Sequence, residues 1–136
     1  MAETRTVDEV FTAVTFGPTD QDELAAWLPG ALESVRTYLQ KWGAGPVGDP
    51  FVREVDGEIE AGFPATTPVG GEGDIEPSEL PAGTVAVVAV EGDVAAARAE
   101  LEAFVAEQGG SPDGPAWEVL LDGTLEGRRE LVLPYA

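Results

Sequence analysis

The feature that most constrains this chain is an internal repeat at a spacing of 66 residues. Seven positions of the first half recur at this one spacing as the same residue or as another apolar residue. The matched pairs are Gly43 and Gly109, Pro46 and Pro112, Gly48 and Gly114, Phe51 and Trp117, Val55 and Leu121, Asp56 and Asp122, and Gly57 and Gly123. Agreement at one spacing indicates a duplicated unit. We therefore expect two halves related by a pseudo-two-fold axis, with a groove for a ligand where they meet.

Local patterns predict the order β-α-β-β in each half. The first half is predicted to contain a strand at 7–16, a helix that starts at Thr19 or Asp20, is interrupted at Pro29-Gly30 and ends by Gly43, and strands at 51–55 and 58–63. The second half is predicted to contain strands at 84–90, 117–121 and 131–133 and a helix at 94–108. Residues 66–81 are rich in proline and glycine and are predicted to form an irregular linker.

The predicted architecture is one α+β domain spanning residues 1–136. Its first half is 5–65, its linker 66–81 and its second half 82–136. Two amphipathic helices and several short strands favour an antiparallel sheet, or two sheets, with both helices on one side.

The side-chain chemistry of the chain is restricted. It contains neither histidine nor cysteine, which excludes a Ser-His-Asp triad, thiolate metal sites and disulfides. A formal net charge of −19 repels phosphate backbones and anionic lipids, so we expect no direct binding to nucleic acid or membrane. Dispersed acidic residues with a single lysine suggest adaptation to high salt, the alternative being a genomic composition bias. The longest apolar run, 85–90, is too short for a membrane span, and we expect a cytoplasmic location.

Four segments carry a resemblance to a known family. They are Glu60-Ala-Gly-Phe-Pro64, Leu80-Pro-Ala-Gly-Thr84 with the apolar strand after it, Trp117-Glu118-Val119, and Glu130-Leu-Val-Leu-Pro134. In this order they resemble the GyrI-like family, which includes effector-binding domains of MerR- and AraC-type regulators and stand-alone gyrase-inhibitor-like proteins. The resemblance implies a duplicated β-α-β-β fold, a central groove and binding of hydrophobic, often cationic, small molecules. It implies no cofactor and leaves open whether the chain forms a homodimer.

Glu118 is the main candidate for ligand contact. In the family a glutamate on the penultimate strand faces the ligand, and Glu118 stands in that motif. Side chains alternate along a strand, so Glu118 and Leu120 face away from the core if Trp117 and Val119 face into it. The alternative is a solvated glutamate, which is common in a chain with 26 acidic residues.

Aromatic side chains beside a carboxylate suit organic cations. Those expected to border the groove are Phe16, Tyr38, Phe63 and Trp117. Two positions depart from the family pattern, because Leu120 stands where an aromatic is frequent and Gly92-Asp93-Val94 stands where Gly-Pro-Tyr is frequent. Both departures remove tyrosine hydroxyls from the expected groove and count against catalysis.

Three functions follow from these features. The first is sensing or sequestering a hydrophobic, cationic small molecule, with Glu118 as its counter-charge. The second is hydrolysis of cyclopropane-type electrophiles, as in some stand-alone relatives, with Glu118 as the catalytic carboxylate. The third is an acidic protein-interaction module of the gyrase-inhibitor kind. No metal site is expected, because the acidic clusters lack the calcium-loop spacing, and Arg128-Arg129 is expected to be a surface pair.

Overall fold

The computed structural model describes residues 1–136 and contains one eight-stranded sheet and two helices. The strands are β1 (Glu3–Val7), β2 (Val10–Gly17), β3 (Phe51–Val55), β4 (Glu58–Pro64), β5 (Glu76–Leu80), β6 (Gly83–Ala89), β7 (Trp117–Leu120) and β8 (Arg129–Pro134). The helices are α1 (Gln21–Lys41) and α2 (Val94–Glu107). All neighbouring strands are antiparallel, in the order β1-β6-β8-β7-β3-β4-β2-β5. The predicted α+β class is confirmed.

The halves meet at the centre of the sheet, where β3 pairs with β7. At one edge β1 pairs with β6 of the second half, and at the other edge β5, which comes from the predicted linker, pairs with β2 of the first half. The strand predicted over 7–16 is present as β2, but it starts only at Val10, because the chain breaks at Asp8-Glu9 and Val7 ends a separate strand, β1. The prediction of a wholly irregular linker was wrong, because β5 lies within it. Pro77 obscures β5 in the sequence, yet an edge strand tolerates a residue without an amide hydrogen.

Each helix begins at an aspartate that caps its first turn. Asp20 Oδ1 accepts hydrogen bonds from the backbone N–H groups of Asp22 and Glu23 at 3.1 and 3.0 Å. Asp93 Oδ1 accepts one from the N–H of Ala95 at 3.0 Å. These bonds satisfy N–H groups that have no partner within the helix and fix where each helix starts.

The predicted interruption of α1 at Pro29 is absent, and the helix continues through this residue. Pro29 is exposed, while Leu28 and Leu32 on either side of it are buried. Packing of the buried face along the whole helix therefore outweighs the local loss of one backbone hydrogen bond at proline. Neither helix has both the length and the apolar content needed to cross a membrane.

Both helices pack on the same face of the sheet. α1 lies on β2 and β4, and α2 lies on β6 and β8. Each helix forms its own hydrophobic core with these strands, and a third core, which includes Phe51 and Trp117, covers the opposite face. The backbones of both helices lie away from β3 and β7, although Val52 of β3 and Leu120 of β7 join the core beneath α1. The gap between the helices leaves the middle of the sheet open on the helix side.

The face opposite the helices carries a buried ion pair. Arg53 Nη2 lies 2.7 Å from Glu60 Oε1, and the two side chains are 10% and 4% exposed. Ser78 Oγ donates to the second oxygen of Glu60 at 3.2 Å. A buried carboxylate must be paired to be tolerated, and this network provides that pairing. Glu60 is therefore a structural residue of the far side of the sheet.

Candidate functional site

A groove of about 1010 Å³ lies between the N-terminal turns of the two helices, above β3 and β7. Its floor is aliphatic and is formed by the buried side chains of Val52, Ile59 and Leu131. Leu24 of α1 and Val94 of α2 line the two walls. The groove occupies the junction of the halves, where the sequence repeat predicts one, and its size is that of a site for an organic ligand.

The pseudo-two-fold axis runs through the floor of this groove. Val52 and Glu118 are equivalent in the 66-residue repeat, and they are also direct partners across β3 and β7. Two equivalent residues can face each other only at the symmetry axis. The axis therefore places a carboxylate on one side of the groove centre and an isopropyl group on the other.

Glu118 is held in an ion pair. Its Oε2 accepts a hydrogen bond from Arg129 Nη1 at 3.0 Å, and the two side chains are 17% and 16% exposed. Arg129 Nη2 also lies 3.4 Å from the carbonyl oxygen of Gly92, just before α2. Water screens such a partly buried pair less than it screens a surface pair. The groove centre therefore holds a compact pair of opposite charges.

The adjacent arginines behave differently, which corrects the expectation of a surface Arg128-Arg129 pair. Arg128 is on the surface, with its side chain 77% exposed, and its Nη2 lies 2.7 Å from Asp122 Oδ1. The hydrogen bond from Arg128 lowers the pKa of Asp122 below its ordinary value. Arg129, one residue further, turns to the helix side and enters the groove.

Charged side chains divide the groove into two sides. Asp22 of α1 and Glu54 of β3 form what we call the acidic wall, and neither carboxylate has a hydrogen-bonded partner. Arg98 of α2 and Arg129 of β8 form the arginine wall. Asp93 also lies on the second side, but its carboxylate is engaged as the α2 cap. The groove thus presents opposite charge on its two sides.

The loop between β7 and β8 borders the groove. Leu125 and Glu126 in this loop line it, and Leu125 also packs against the core beneath α1. The loop is held by Asp122, whose Oδ2 accepts the N–H of Arg128 at 2.8 Å. The corresponding β3–β4 connection is the two-residue turn Asp56-Gly57. Only the second half therefore contributes a loop to the groove border.

The structure separates most of the predicted aromatic residues from Glu118. The ring of Trp117 packs in the core on the opposite face of the sheet, and Phe16 packs against that same core. Phe16 also borders a separate hollow of about 600 Å³. Adjacent residues of a strand face opposite sides, so Trp117 and Glu118 point away from each other.

Tyr38, Phe63 and Leu120 are buried in the core beneath α1 and do not line the groove. The Tyr38 hydroxyl accepts the N–H of Gly71 at 2.9 Å, and the guanidinium of Arg36 lies 5.0 Å from the Phe63 ring centre. Of the residues proposed to surround the ligand, Glu118 and Trp117 are in the groove lining, and the Trp117 ring packs in the core of the other face. The walls around Glu118 are aliphatic and charged rather than aromatic.

Sequence reasoning missed Arg129, Arg98 and Val52. A signal for Arg129 existed, because Arg129, Leu131 and Leu133 alternate along the last strand and share a face. Arg98 lies four residues after Val94 and hence on the same side of α2. Val52 could have been found as the repeat partner of Glu118.

The comparisons with known proteins find proteins of similar structure but none of similar sequence. No family model and no curated protein sequence matches the chain. The EcmrR C-terminal domain superposes with a TM-score of 0.75 at 13% identity, covering 100% of this chain and 97% of that one. A hydrolase from Listeria innocua gives 0.69 at 12% identity over 100% and 92% of the chains. SAV2435 bound to tetraphenylphosphonium gives 0.63 at 11% identity over 100% and 94%.

The chain has the GyrI-like fold. Identities of 11–13% establish the fold alone, because one fold supports many functions. The resemblance carried by the sequence motifs therefore holds at the level of the architecture. The neighbours with this fold include a protein that is bound to tetraphenylphosphonium, a lipophilic cation.

Proposed function

We propose that this domain binds a hydrophobic organic molecule bearing a positive charge, with Glu118 as the counter-charge. The observation that carries the proposal is one partly buried carboxylate in the centre of an aliphatic floor. Organic ligands are commonly held by such a combination, in which apolar surface supplies most of the affinity and a few polar groups fix orientation.

The aliphatic floor supplies the hydrophobic contribution. Val52, Ile59 and Leu131 present side chains that a ligand would shield from water, at about 25 cal/mol for each Å² of apolar surface removed. Carboxylates exceed arginines around the groove, because Asp22, Glu54 and Glu126 join Glu118 there. The resulting potential attracts cations and repels anions during approach.

A structural neighbour supports the ligand class. SAV2435, which shares the fold, is bound to tetraphenylphosphonium, a lipophilic cation. The one aromatic residue in the groove lining, Trp117, has its ring packed in the core on the opposite face of the sheet. We therefore expect the groove to favour aliphatic cations over aryl cations.

Calorimetry and thermal shift with an aliphatic quaternary ammonium and with tetraphenylphosphonium test the proposal. Saturation at about 100 times the Kd should add about 2.7 kcal/mol to the free energy of unfolding. Glu118→Gln should weaken cation binding by at least about tenfold, because it removes a partly buried counter-charge. Glu107→Gln on the exposed end of α2 removes the same charge outside the groove and should leave binding unchanged.

Equal weakening in both variants would show that the overall acidic field, and not Glu118, attracts the ligand. Absence of binding by every cation would favour the acidic interaction module instead.

A second candidate is hydrolysis of strained electrophiles, and the observation in its favour is the shared fold of the Listeria innocua hydrolase. The groove offers only carboxylates as acid or base. Both tyrosine hydroxyls are engaged elsewhere, Tyr38 with Gly71 and Tyr135 with Thr4 at 2.8 Å. Turnover of a cyclopropane-bearing electrophile that falls about a hundredfold in Glu118→Gln would favour catalysis over binding.

A further inference from the structure

We propose that the preferred ligand of this groove is a zwitterion, whose cation pairs with Glu118 while its adjacent anion pairs with Arg129. The proposal rests on the proposed function and specifies its ligand class. It follows from the fact that Glu118 already has a partner, at 3.0 Å, in a site where both side chains are more than four-fifths buried.

A ligand with a single charge meets a penalty at this pair. A cation that takes Glu118 from Arg129 leaves a largely buried guanidinium without its counter-charge, and an anion that takes Arg129 leaves the carboxylate in the same position. Leaving one member of a buried pair uncompensated is strongly unfavourable. A zwitterion replaces both partners at once, so one ion pair becomes two and no charge is left alone.

Arg129 has unused hydrogen-bonding capacity for the anionic part of such a ligand. Its Nη1 binds Glu118 and its Nη2 is near the Gly92 carbonyl, whereas its Nε is buried without any partner. The Nε of Arg98, on the same wall, is likewise without a hydrogen bond, and its only ion pair is a 3.6 Å contact to the exposed Glu102. Guanidinium groups bind carboxylates with two parallel hydrogen bonds, which requires donors of this kind.

The charges on the walls fix the orientation of the ligand. Asp22 and Glu54 on the acidic wall have no partner and favour the cationic end. Arg98 and Arg129 on the arginine wall favour the anionic end. Because Glu118 and Arg129 are in direct contact, the two ligand charges must be separated by only one or two carbon atoms. An alkyl betaine meets these requirements, with its chain lying on the aliphatic floor.

Calorimetry with four decyl-chain probes tests the inference: decyl betaine, decyltrimethylammonium and decanoate, each below its micelle concentration, and decanol below its solubility limit. In the wild type we expect decyl betaine to bind at least about tenfold more tightly than decyltrimethylammonium. Equal or tighter binding of the simple cation would overturn the zwitterion while leaving the proposed function intact. Tightest binding by decanol would overturn the zwitterion and the role of Glu118 together, as would absence of binding by all four.

Arg129→Gln provides the sharper test. It frees Glu118, so decyltrimethylammonium should bind about tenfold more tightly than to the wild type and the advantage of the betaine should disappear. Arg128→Gln is the matched control, because it removes the same charge from the neighbouring, exposed position and should preserve the betaine preference. Identical effects of the two substitutions would overturn the proposal.

A double variant that removes the charges of both Glu118 and Arg129 keeps the proposal testable if Arg129→Gln does not fold. Glu118→Gln with Arg129→Gln removes both members of the buried pair, so neither is left without its counter-charge, and this variant should bind decyl betaine and decanol within a factor of about three of each other. A retained betaine preference in this variant would overturn the assignment of the pair as the recognition element.

Discussion

The two hairpins on either side of the pseudo-two-fold axis share a pattern and differ in what they contribute to the groove. The β3–β4 hairpin turns within two residues and places Val52 and Ile59 on the floor. The β7–β8 hairpin keeps the equivalent Asp-Gly pair but inserts a loop before β8. It places Glu118 at the position that matches Val52. Arg129 matches Ile59, because Arg129 pairs with Leu120 across the hairpin as Ile59 pairs with Glu54, the repeat partner of Leu120.

An apolar pair on one side of the axis corresponds to an ion pair on the other. The first hairpin contributes only apolar side chains at these two positions, and the second contributes the charges that we propose to recognise the ligand. A symmetric pair of carboxylates at the axis would repel, since directly opposed like charges on neighbouring strands are destabilising. Only one half could therefore carry the glutamate.

Placing a glutamate at position 52, so that both sides of the axis carry a carboxylate, should have the largest effect on stability. Val52 is 5% exposed, so Val52→Glu places a second carboxylate directly opposite Glu118 and should lower the free energy of unfolding by about 3 kcal/mol or more. Urea denaturation at pH 7 measures the loss. Val52→Thr, of similar shape and without charge, is the control, and an equal loss in both variants would show that repulsion at the axis is unimportant.

Removing the contact that the β7–β8 loop makes with the core beneath α1 should have an intermediate effect on stability. Leu125 is partly buried against the core beneath α1 and lines the groove, so Leu125→Ala should lower the free energy of unfolding by about 1 kcal/mol and weaken ligand binding. Val47→Ala, at a residue that is 55% exposed, is the control and should change neither quantity. Unchanged binding in Leu125→Ala would place the ligand away from the loop.

Replacing the equivalent aspartates Asp56 and Asp122 by asparagine should give the smallest difference in stability between the two hairpins. This difference should depend on pH. The hydrogen bond from Arg128 lowers the pKa of Asp122 in the folded state, so its stabilisation is present above the unfolded pKa and is lost as the pH falls through the folded value. Asp122→Asn should therefore lower the urea midpoint at pH 7 and have little effect at the acidic end of the folded range.

Asp56→Asn is the matched control for this prediction. Asp56 has a φ of 52°, a conformation that asparagine adopts readily, and its carboxylate has no partner. The substitution should leave the midpoint unchanged at both pH values. Equal losses in the two variants would mean that the Arg128 contact adds nothing to stability.

The sequence by itself determined the repeat, the helices, the central strands and the position of Glu118 on a strand at the junction. These features depend on local patterns: apolar periodicity, capping aspartates and Asp-Gly turns at equal spacing. The α+β class and the groove at the pseudo-two-fold axis follow from them. The division into halves at 5–65 and 82–136 stays a prediction.

Only the tertiary structure decided which strands pair and which groups meet Glu118. β5 is a strand because β2 offers it a partner, since its own sequence, with Pro77, has little strand character. Tyr38, Phe63 and Trp117 became core because burying large aromatic surface is favourable wherever space exists. The Glu118–Arg129 contact depends on the register of β7 and β8, which the loop and the hydrophobic faces set together.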